Sequence, residues 1–250
     1  MPENTERLTF PVWILTLCLS CLLTSPAGAA EPLKWSVTPY IWATDISGDL
    51  KVDGDPTGGV EIDFNDLLDT TDASFQIFVE AGRGRWSGFA DVTYLKTSDS
   101  ADIDILRIKT ESTSWVVDMA AAFWPMGEEG GLNLFAGVRY TSLDDDFKFL
   151  LNGTQLDKIG NDRDFTDALV GARYRYPFAE RWALSTRIDG SFGDSDGIFQ
   201  LEALLRYTVG KRQKNGILFG YRYKEANFES GRLEEDFDYK GPLVGFNFRF

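Results

Sequence analysis

Large apolar residues occupy every second position over the last seven residues of the chain. One face of this stretch is apolar throughout and consists of Val244, Phe246, Phe248 and Phe250. The residues between them fall on the opposite face, because side chains along a strand point alternately to its two sides. A soluble edge strand with such a face would be prone to aggregation. One face toward lipid and the other toward a polar lumen is the pattern of a transmembrane barrel strand.

The same period of two recurs along the chain and predicts an all-β protein of about ten strands, with eight or twelve as alternatives. The predicted strands are 35–45, 74–82, 86–96, 112–124, 132–143, 165–176, 182–192, 198–209, 217–227 and 240–250. Most of them have the length of tilted strands that cross a bilayer. Soluble strands are usually about 5–6 residues long.

The connections alternate between short and long. Short ones are 83–85, 125–131, 177–181 and 210–216, and long ones are 46–73, 97–111, 144–164 and 228–239. The segment 193–197 is the one short connection on the long side. Short periplasmic turns opposite long outer loops are typical of outer-membrane barrels. Asn152-Gly153 predicts a hairpin in the third long loop, and residues 63–69 predict a helical turn in the first.

The number of apolar side chains decides which face points outward. In 182–192, for example, Leu184 and Ile188 share one face and Arg187 lies on the other. Ten such strands carry roughly 45 large apolar side chains, whereas a closed eight-stranded interior holds about 12 in three layers. The apolar face must therefore point outward into lipid. The fold class expected is a transmembrane antiparallel up-and-down β-barrel.

Aromatic side chains cluster at the predicted strand ends, where amphipathic rings prefer the membrane interfaces. The interface set predicted is Trp42, Trp86, Tyr94, Trp115, Trp124, Tyr140, Tyr176, Trp182 and Tyr207.

Charged residues of both signs fall on the inward face. This predicted lumen charge network consists of Glu80, Asp91, Asp118, Arg139, Asp167, Arg173, Arg175, Arg187, Asp189, Glu202, Arg206, Arg222 and Arg249. Arginine pairs bidentately with carboxylates, so one interpretation is a salt-bridged plug that fills a narrow lumen. The other is a charged constriction that selects small solutes in a narrow passive pore.

The N-terminus predicts an export signal, because residues 8–23 are mostly apolar and residues 25–30 are small residues suited to cleavage. Residues 1–30 are therefore assigned to a signal peptide and residues 31–250 to the barrel. Cys18 and Cys21 leave with the signal peptide. The mature chain would then form no disulfide and offer no thiolate metal site.

Composition narrows the functional classes. The net charge is −14, of which residues 1–30 carry −1, and this sign argues against a nucleic-acid partner. The chain contains no histidine, so the usual activation of a nucleophile is missing and no enzyme is expected. No cofactor and no metal site are predicted. The acidic outer loops are either a solvated surface or a site where divalent cations bridge to anionic lipid headgroups.

Several motifs together resemble a family. They are WSVTPYIW at 35–42, DFNDLL at 63–68, GRW at 84–86, GYRY at 220–223 and the closing 241–250. They are similar to small Gram-negative outer-membrane β-barrel proteins that end in Phe. The resemblance covers nearly all of the mature chain and implies the outer membrane as location and its lipid as partner. It also implies that the barrel-assembly machinery reads the C-terminal signal of Val244, Phe246, Phe248 and Phe250. The resemblance supplies no catalytic residues.

The function expected is a structural or narrow passive pore role. The alternative is a surface-exposed adhesion or lipid- or ligand-binding barrel that acts through its long acidic loops. The oligomeric state stays open.

Overall fold

The computed structural model describes residues 31–103, 106–127, 131–151, 154–210, 214–230 and 233–250. The predicted signal peptide, residues 1–30, and the hairpin signal Asn152-Gly153 lie outside the described residues. Within the described ranges, no helix has the length and apolarity that crossing a membrane requires.

Twelve strands and one short helix make up the described chain. The strands are β1 (Lys34–Trp42), β2 (Asp45–Val52), β3 (Asp55–Ile62), β4 (Thr71–Arg83), β5 (Trp86–Ile103), β6 (Leu106–Phe123), β7 (Leu132–Leu151), β8 (Thr154–Ala179), β9 (Trp182–Gly193), β10 (Gly197–Val209), β11 (Asn215–Ser230) and β12 (Leu233–Arg249). The helix α1 (Phe64–Thr70) matches the helical turn predicted for 63–69. Asp63 caps it, because its carboxylate accepts hydrogen bonds from the backbone N–H groups of Asn65 and Asp66.

Ten of the strands close into an antiparallel barrel. The order is β1-β4-β5-β6-β7-β8-β9-β10-β11-β12, and β12 pairs back onto β1 from Ser36↔Arg249 to Trp42↔Leu243. The predicted ten-stranded membrane barrel is confirmed. β1 begins and β12 ends at the end of the barrel that carries the short turns. We call this end of the barrel the periplasmic end.

The remaining two strands form a hairpin that extends the wall outward. β2 pairs with the first half of β12, from Lys240↔Asp45 to Leu233↔Val52, and β3 pairs with β2. β1 and β2 thus follow one another along the same edge of β12.

The predicted long loops are largely sheet, which was predicted only for the hairpin in 144–164. β5 and β6 pair up to Ile103↔Leu106, and β7 and β8 pair up to Leu151↔Thr154. β8 has 26 residues, whereas about 9–11 suffice to cross a bilayer. The cause is that cross-strand hydrogen bonding continues past the membrane with only local register shifts. The described residues of 97–111, 144–164 and 228–239 are therefore the outer parts of strands, and 46–73 holds β2, β3 and α1.

The two faces of the strands separate as their alternation predicts. On β9, the side chain of Ile188 is 48% exposed on the outside, while Arg187 is buried in the lumen. On β10, Phe199 and Leu201 point outward and Gln200 is buried. The apolar set therefore forms the outer band that lipid must cover.

The sequence Gly-x-Arg-Tyr occurs at 137–140, 171–174 and 220–223, and the barrel gives a physical reason for its glycine. Its glycine lies on the inner face, two residues before the inward arginine. A Cβ atom on Gly137 would lie 1.9 Å from the Met119 carbonyl oxygen, and one on Gly220 would lie 2.0 Å from that of Ala203. The glycines let neighbouring strands approach closely beside the long arginine side chains.

We expect Gly137→Ala to destabilise the barrel by about 1–3 kcal/mol, the usual cost of overpacking. The added methyl group must push β6 and β7 apart. Urea unfolding of the protein refolded into lipid vesicles measures the change. Gly88→Ala is the matched control, because its nearest neighbour is the Ala120 carbonyl oxygen at 3.8 Å. Equal losses in the two variants would contradict the close-approach explanation.

Candidate functional site in the lumen

Seven charged side chains from six strands meet in the middle of the lumen, and we call them the lumen lattice. They are Asp91, Asp118, Arg139, Arg187, Asp189, Glu202 and Arg222, and each is nine-tenths or more buried. The alternation places them on the inner face, but only closure of the barrel brings them into contact.

Arg139 is the most enclosed member, with no exposed surface. Its Nε and Nη2 donate to the two oxygens of Asp118 at 2.7 and 2.8 Å. Nη2 also donates to Asp189 Oδ1 at 2.8 Å. The first contact is a bidentate fork, the strongest geometry for an arginine–carboxylate pair.

Arg187 joins three carboxylates on three strands. It donates to Asp189 Oδ2 at 2.6 Å and to Asp118 Oδ2 at 2.7 Å, and it reaches Asp91 Oδ2 at 3.2 Å. Asp118 on β6 is therefore shared between Arg139 and Arg187. The contact from β9 to Asp91 on β5 spans the lumen, since three strands of the sheet lie between these two.

Arg222 completes the connection to β1. Its Nη2 lies 2.6 Å from Glu202 Oε2, and its Nη1 donates to the Tyr40 hydroxyl oxygen at 3.1 Å. The Tyr40 hydroxyl in turn donates to Asp91 Oδ1 at 2.7 Å. Tyr40 was not predicted to lie in the lumen, because aromatic rings were expected on the outside of the barrel. The alternation of Thr38, Tyr40 and Trp42 on one face of β1 could have shown it.

The charges of the lattice nearly balance. Four carboxylates face three guanidinium groups. Lys224 lies on the inner face beside Gln200 and interacts electrostatically with Asp118 and Asp189. When Lys224 is protonated, it offsets the one charge by which the lattice carboxylates outnumber the arginines.

Apolar layers fill the lumen on both sides of the lattice. Toward the periplasmic end, Phe89 and Phe135 pack edge to face with ring centroids 5.1 Å apart. The guanidinium carbon of Arg173 lies 4.6 Å from the Phe89 ring centre, a cation–π distance. Toward the outer end, a second cluster forms around Phe165 and Phe228.

The other predicted network residues lie outside the lattice. Arg173 forks onto Glu80 at 2.7 and 3.1 Å, nearer the periplasmic end. Asp167 accepts hydrogen bonds from the backbone N–H and hydroxyl of Ser195 at 3.0 and 2.5 Å, so it clamps the short turn between β9 and β10. No sequence signal distinguishes Ser195 from other turn residues. The last three predicted residues, Arg175, Arg206 and Arg249, lie at the periplasmic end.

Trp42 is placed on the inner face, contrary to its prediction as an interface aromatic. Only 8% of it is exposed, and it packs with Tyr40, Leu204 and Leu243. The parity of β1 causes this, because Ile41 takes the outward position. The Arg222 guanidinium carbon lies 5.2 Å from the Trp42 ring centre.

The other predicted interface aromatics lie mainly on the outer face. Tyr94 and Trp115 pair at 4.4 Å between ring centres toward the outer end, and Trp182 and Tyr207 pair at 4.9 Å beside the short turns. Trp124 is half-buried in the turn after β6. The outward positions are Trp86, Tyr94, Trp115, Tyr140, Tyr176, Trp182 and Tyr207.

Comparison with known proteins identifies the architecture. No family model matches the chain, and no curated protein matches it. The outer-membrane protease OmpT from Escherichia coli is 10% identical, with a TM-score of 0.54 over 90% of this chain and 99% of that one. The fold is that of an outer-membrane β-barrel.

Two other solved structures are also similar to the chain. The translocator domain of the autotransporter NalP from Neisseria meningitidis is 14% identical, with a TM-score of 0.45 over 96% of this chain and 95% of that one. Ail of Yersinia pestis, in complex with the heparin analogue sucrose octasulfate, is 9% identical, with a TM-score of 0.41 over 87% and 99%. The location of this outer-membrane barrel is the outer membrane, where its apolar outer band meets lipid.

Beyond the membrane, the outer surface of the barrel is acidic. A pocket of about 710 Å³ between β11, β12, β2 and β3 is lined by Asp49, Glu61, Glu225, Asp236 and Asp238, among others. On the other side, Asp144 lies directly opposite Asp162. Partial burial raises the pKa of Asp144, and the neighbouring carboxylates of Asp162 and Asp164 raise it further.

A raised pKa in the folded state means that ionised Asp144 opposes folding of the outer ribbon. The cost is present above the folded-state pKa and disappears as the pH falls below the ordinary value of 3.8. We therefore expect Asp144→Asn to slow amide hydrogen exchange in outer β7 and β8 at pH 7, with little change near that lower pH. Protection factors, corrected for intrinsic exchange, measure it. Asp146→Asn is the control, because Asp146 pairs with Lys158 at 2.9 Å. Slower exchange in both variants would refute the assignment.

Proposed function

We propose that the protein is a structural outer-membrane barrel whose lumen is closed to ions by the lumen lattice. The observation that carries the proposal is the set of contacts that cross the lumen. Arg187 on β9 reaches Asp91 on β5, and Arg222 on β11 reaches the same carboxylate through Tyr40 on β1. The wall is thus bridged from several directions at one level.

Energetics support a fixed plug rather than a hydrated constriction. Ten strands enclose an interior between the filled eight-stranded barrel and the open porins of 16 or more strands. Every arginine of the lattice bonds to at least two groups at buried positions. Separating one buried pair leaves an uncompensated charge and costs about 3–5 kcal/mol. The phenyl layers on either side restrict the access of water to these pairs.

Planar-bilayer recording of the purified protein tests the proposal. We expect the wild type to give no steady conductance. We expect Arg187→Ser with Arg222→Ser to open one, because two long side chains that cross the lumen are removed. The current should be cation-selective, since the lattice carboxylates then outnumber the remaining arginine.

The control for this experiment is a charge pair outside the lumen. Lys51 and Asp236 pair at 2.7 Å on the outer surface, so Lys51→Ser with Asp236→Ser should stay silent. Steady wild-type conductance, or a silent lattice variant that is correctly folded by heat-modified gel mobility, would overturn the closed-lumen proposal.

A second candidate function is recognition of a cationic partner at the outer surface. The strands that continue past the membrane form a fixed sheet, and the acidic pocket lies in it beside the membrane. Asp49 and Glu61 line the pocket from β2 and β3. Charged clefts raise the local concentration of oppositely charged ligands.

Binding of hexalysine to the barrel in nanodiscs, measured by calorimetry at low salt, tests this function. We expect Asp49→Asn with Glu61→Gln to weaken binding about fivefold, as loss of two exposed charge contacts allows. The control is Asp144→Asn with Asp162→Asn, which removes the same charge elsewhere and should leave binding nearly unchanged. Equal loss in both would mean general attraction to an acidic surface and would exclude a pocket.

A further inference from the structure

Three arginines gather at the periplasmic end of the inner face, and we call them the mouth arginines. They are Arg175, Arg206 and Arg249. Arg206 is only 5% exposed, and the other two are half-buried. This group is separate from the lumen lattice and plays no part in the closure proposed for it.

Two of the mouth arginines converge on one amide oxygen. Arg206 Nη2 donates to Asn247 Oδ1 at 3.4 Å, and Arg249 Nε donates to the same oxygen at 3.2 Å. Asn247 Nδ2 donates to Thr38 Oγ1 at 2.8 Å, which turns the amide oxygen toward the arginines. The geometry resembles a carboxylate bridge in which a neutral amide replaces the carboxylate.

Neither Arg206 nor Arg249 forms an ion pair with a carboxylate in the described part of the chain. The charges that act most strongly on Arg206 are those of Arg249 and Arg175, both of its own sign. Glu80, an acid on the inner face near this end, forms its ion pair with Arg173, and Arg249 acts on it only through its charge. In the turn after β10, the residues outside the described ranges are Lys211, Arg212 and Gln213, and none of them is acidic.

A guanidinium buried without a counter-charge is costly, and a nearby cation makes it more so. In the lumen lattice every arginine contacts a carboxylate, so Arg206 and Arg249 depart from that pattern among the described residues. Arginine carries five N–H donors. Arg206 uses donors on Thr208 Oγ1, the Lys214 carbonyl oxygen and Asn247, whereas Arg249 uses one, on Asn247.

The position of Arg206 is built into the fold. Its guanidinium lies flat against Gly216, where a Cβ atom would come within 2.8 Å of Nε. Its Nη1 donates to Thr208 Oγ1 at 2.9 Å, and its Nη2 donates to the Lys214 carbonyl oxygen at 2.8 Å. The cation is therefore fixed, and Arg249 beside it keeps the Nη1 and Nη2 donors of its fork without a protein acceptor among the described residues.

We propose that the mouth arginines bind a small oxyanion, a phosphate or carboxylate group, that reaches the lumen from the periplasmic side. Arg249 supplies the planar donor fork that matches two oxygens of such a group. Arg206 supplies a fixed positive charge behind it, and Asn247 positions both guanidiniums. The bound anion provides a counter-charge for Arg206 and Arg249, which pair with no carboxylate among the described residues.

The test is titration of inorganic phosphate into the full chain, refolded in nanodiscs in phosphate-free buffer. The arginine Nε–Hε signals in NMR report binding. We expect saturable shifts of the Arg206 and Arg249 signals in the wild type. Asn247→Asp places a carboxylate between the arginines, so we expect affinity for phosphate to fall about tenfold, the order of a lost charge-assisted contact. The urea midpoint of this variant without phosphate should rise.

Two further variants separate the site from general positive charge. Arg249→Gln should lose phosphate binding. Arg85→Gln, which removes an exposed cation from a turn at the same end, should leave the affinity within about twofold, as expected of a screened surface charge. A wild type without saturable shifts, or an Asn247→Asp variant that binds phosphate as tightly, would overturn the proposal.

A parallel titration with acetate identifies the source of the oxyanion. Affinity for acetate equal to that for phosphate supports a carboxylate ligand, and clearly weaker affinity supports a phosphate ester. The conductance of the barrel does not enter this experiment, so its failure and a failure of the closed-lumen proposal can be told apart.

Discussion

The need to pair every buried guanidinium governs the centre of this barrel. Arg139, Arg187 and Arg222 can enter the lumen only where carboxylates from other strands meet them. That requirement fixes the register of the whole wall, because a slip of one residue on any strand would turn its charges into lipid. The inner-face glycines Gly137 and Gly220 lie against neighbouring strands, where a Cβ atom would meet backbone atoms. The phenyl layers on either side then keep the paired charges dry and so strengthen them.

Charge is divided along the barrel axis into three zones. The centre is balanced by mutual pairing, and the surface beyond the membrane carries an excess of carboxylates. At the periplasmic end, Arg206 and Arg249 pair with no carboxylate of the described residues. Pairing inside the protein explains the first zone, and hydration can satisfy the second. In the third zone Arg206 is buried and lies against Gly216, so neither a carboxylate of the described residues nor water compensates its charge.

The period of two in the sequence is sufficient to predict the fold and the residues of the inner face. It does not predict the contacts across the lumen. Alternation assigns Asp118 and Arg187 to the inside, yet which arginine meets which carboxylate depends on how the barrel closes. Trp42 shows the limit of a rule based on residue type, because the parity of β1 outweighs the preference of aromatic rings for the interface. The outer parts of β5, β6, β11 and β12 were predicted as loops, because their alternating polar residues have the composition of a loop. Only cross-strand pairing distinguishes such a strand from a loop.

The two-part edge of β12 has a consequence for how the chain assembles. One edge of β12 pairs with β1 along one half and with β2 along the other. The last strand therefore depends on the first two strands for all the pairing along this edge. Local hairpins can form early, whereas this seam joins residues from opposite ends of the sequence and carries the largest loop-closure entropy. Until the seam forms, β12 presents a long unpaired edge with an apolar face, the arrangement that most readily captures a foreign strand. A chain with this topology therefore requires that the unpaired edge of β12 be protected while the barrel folds.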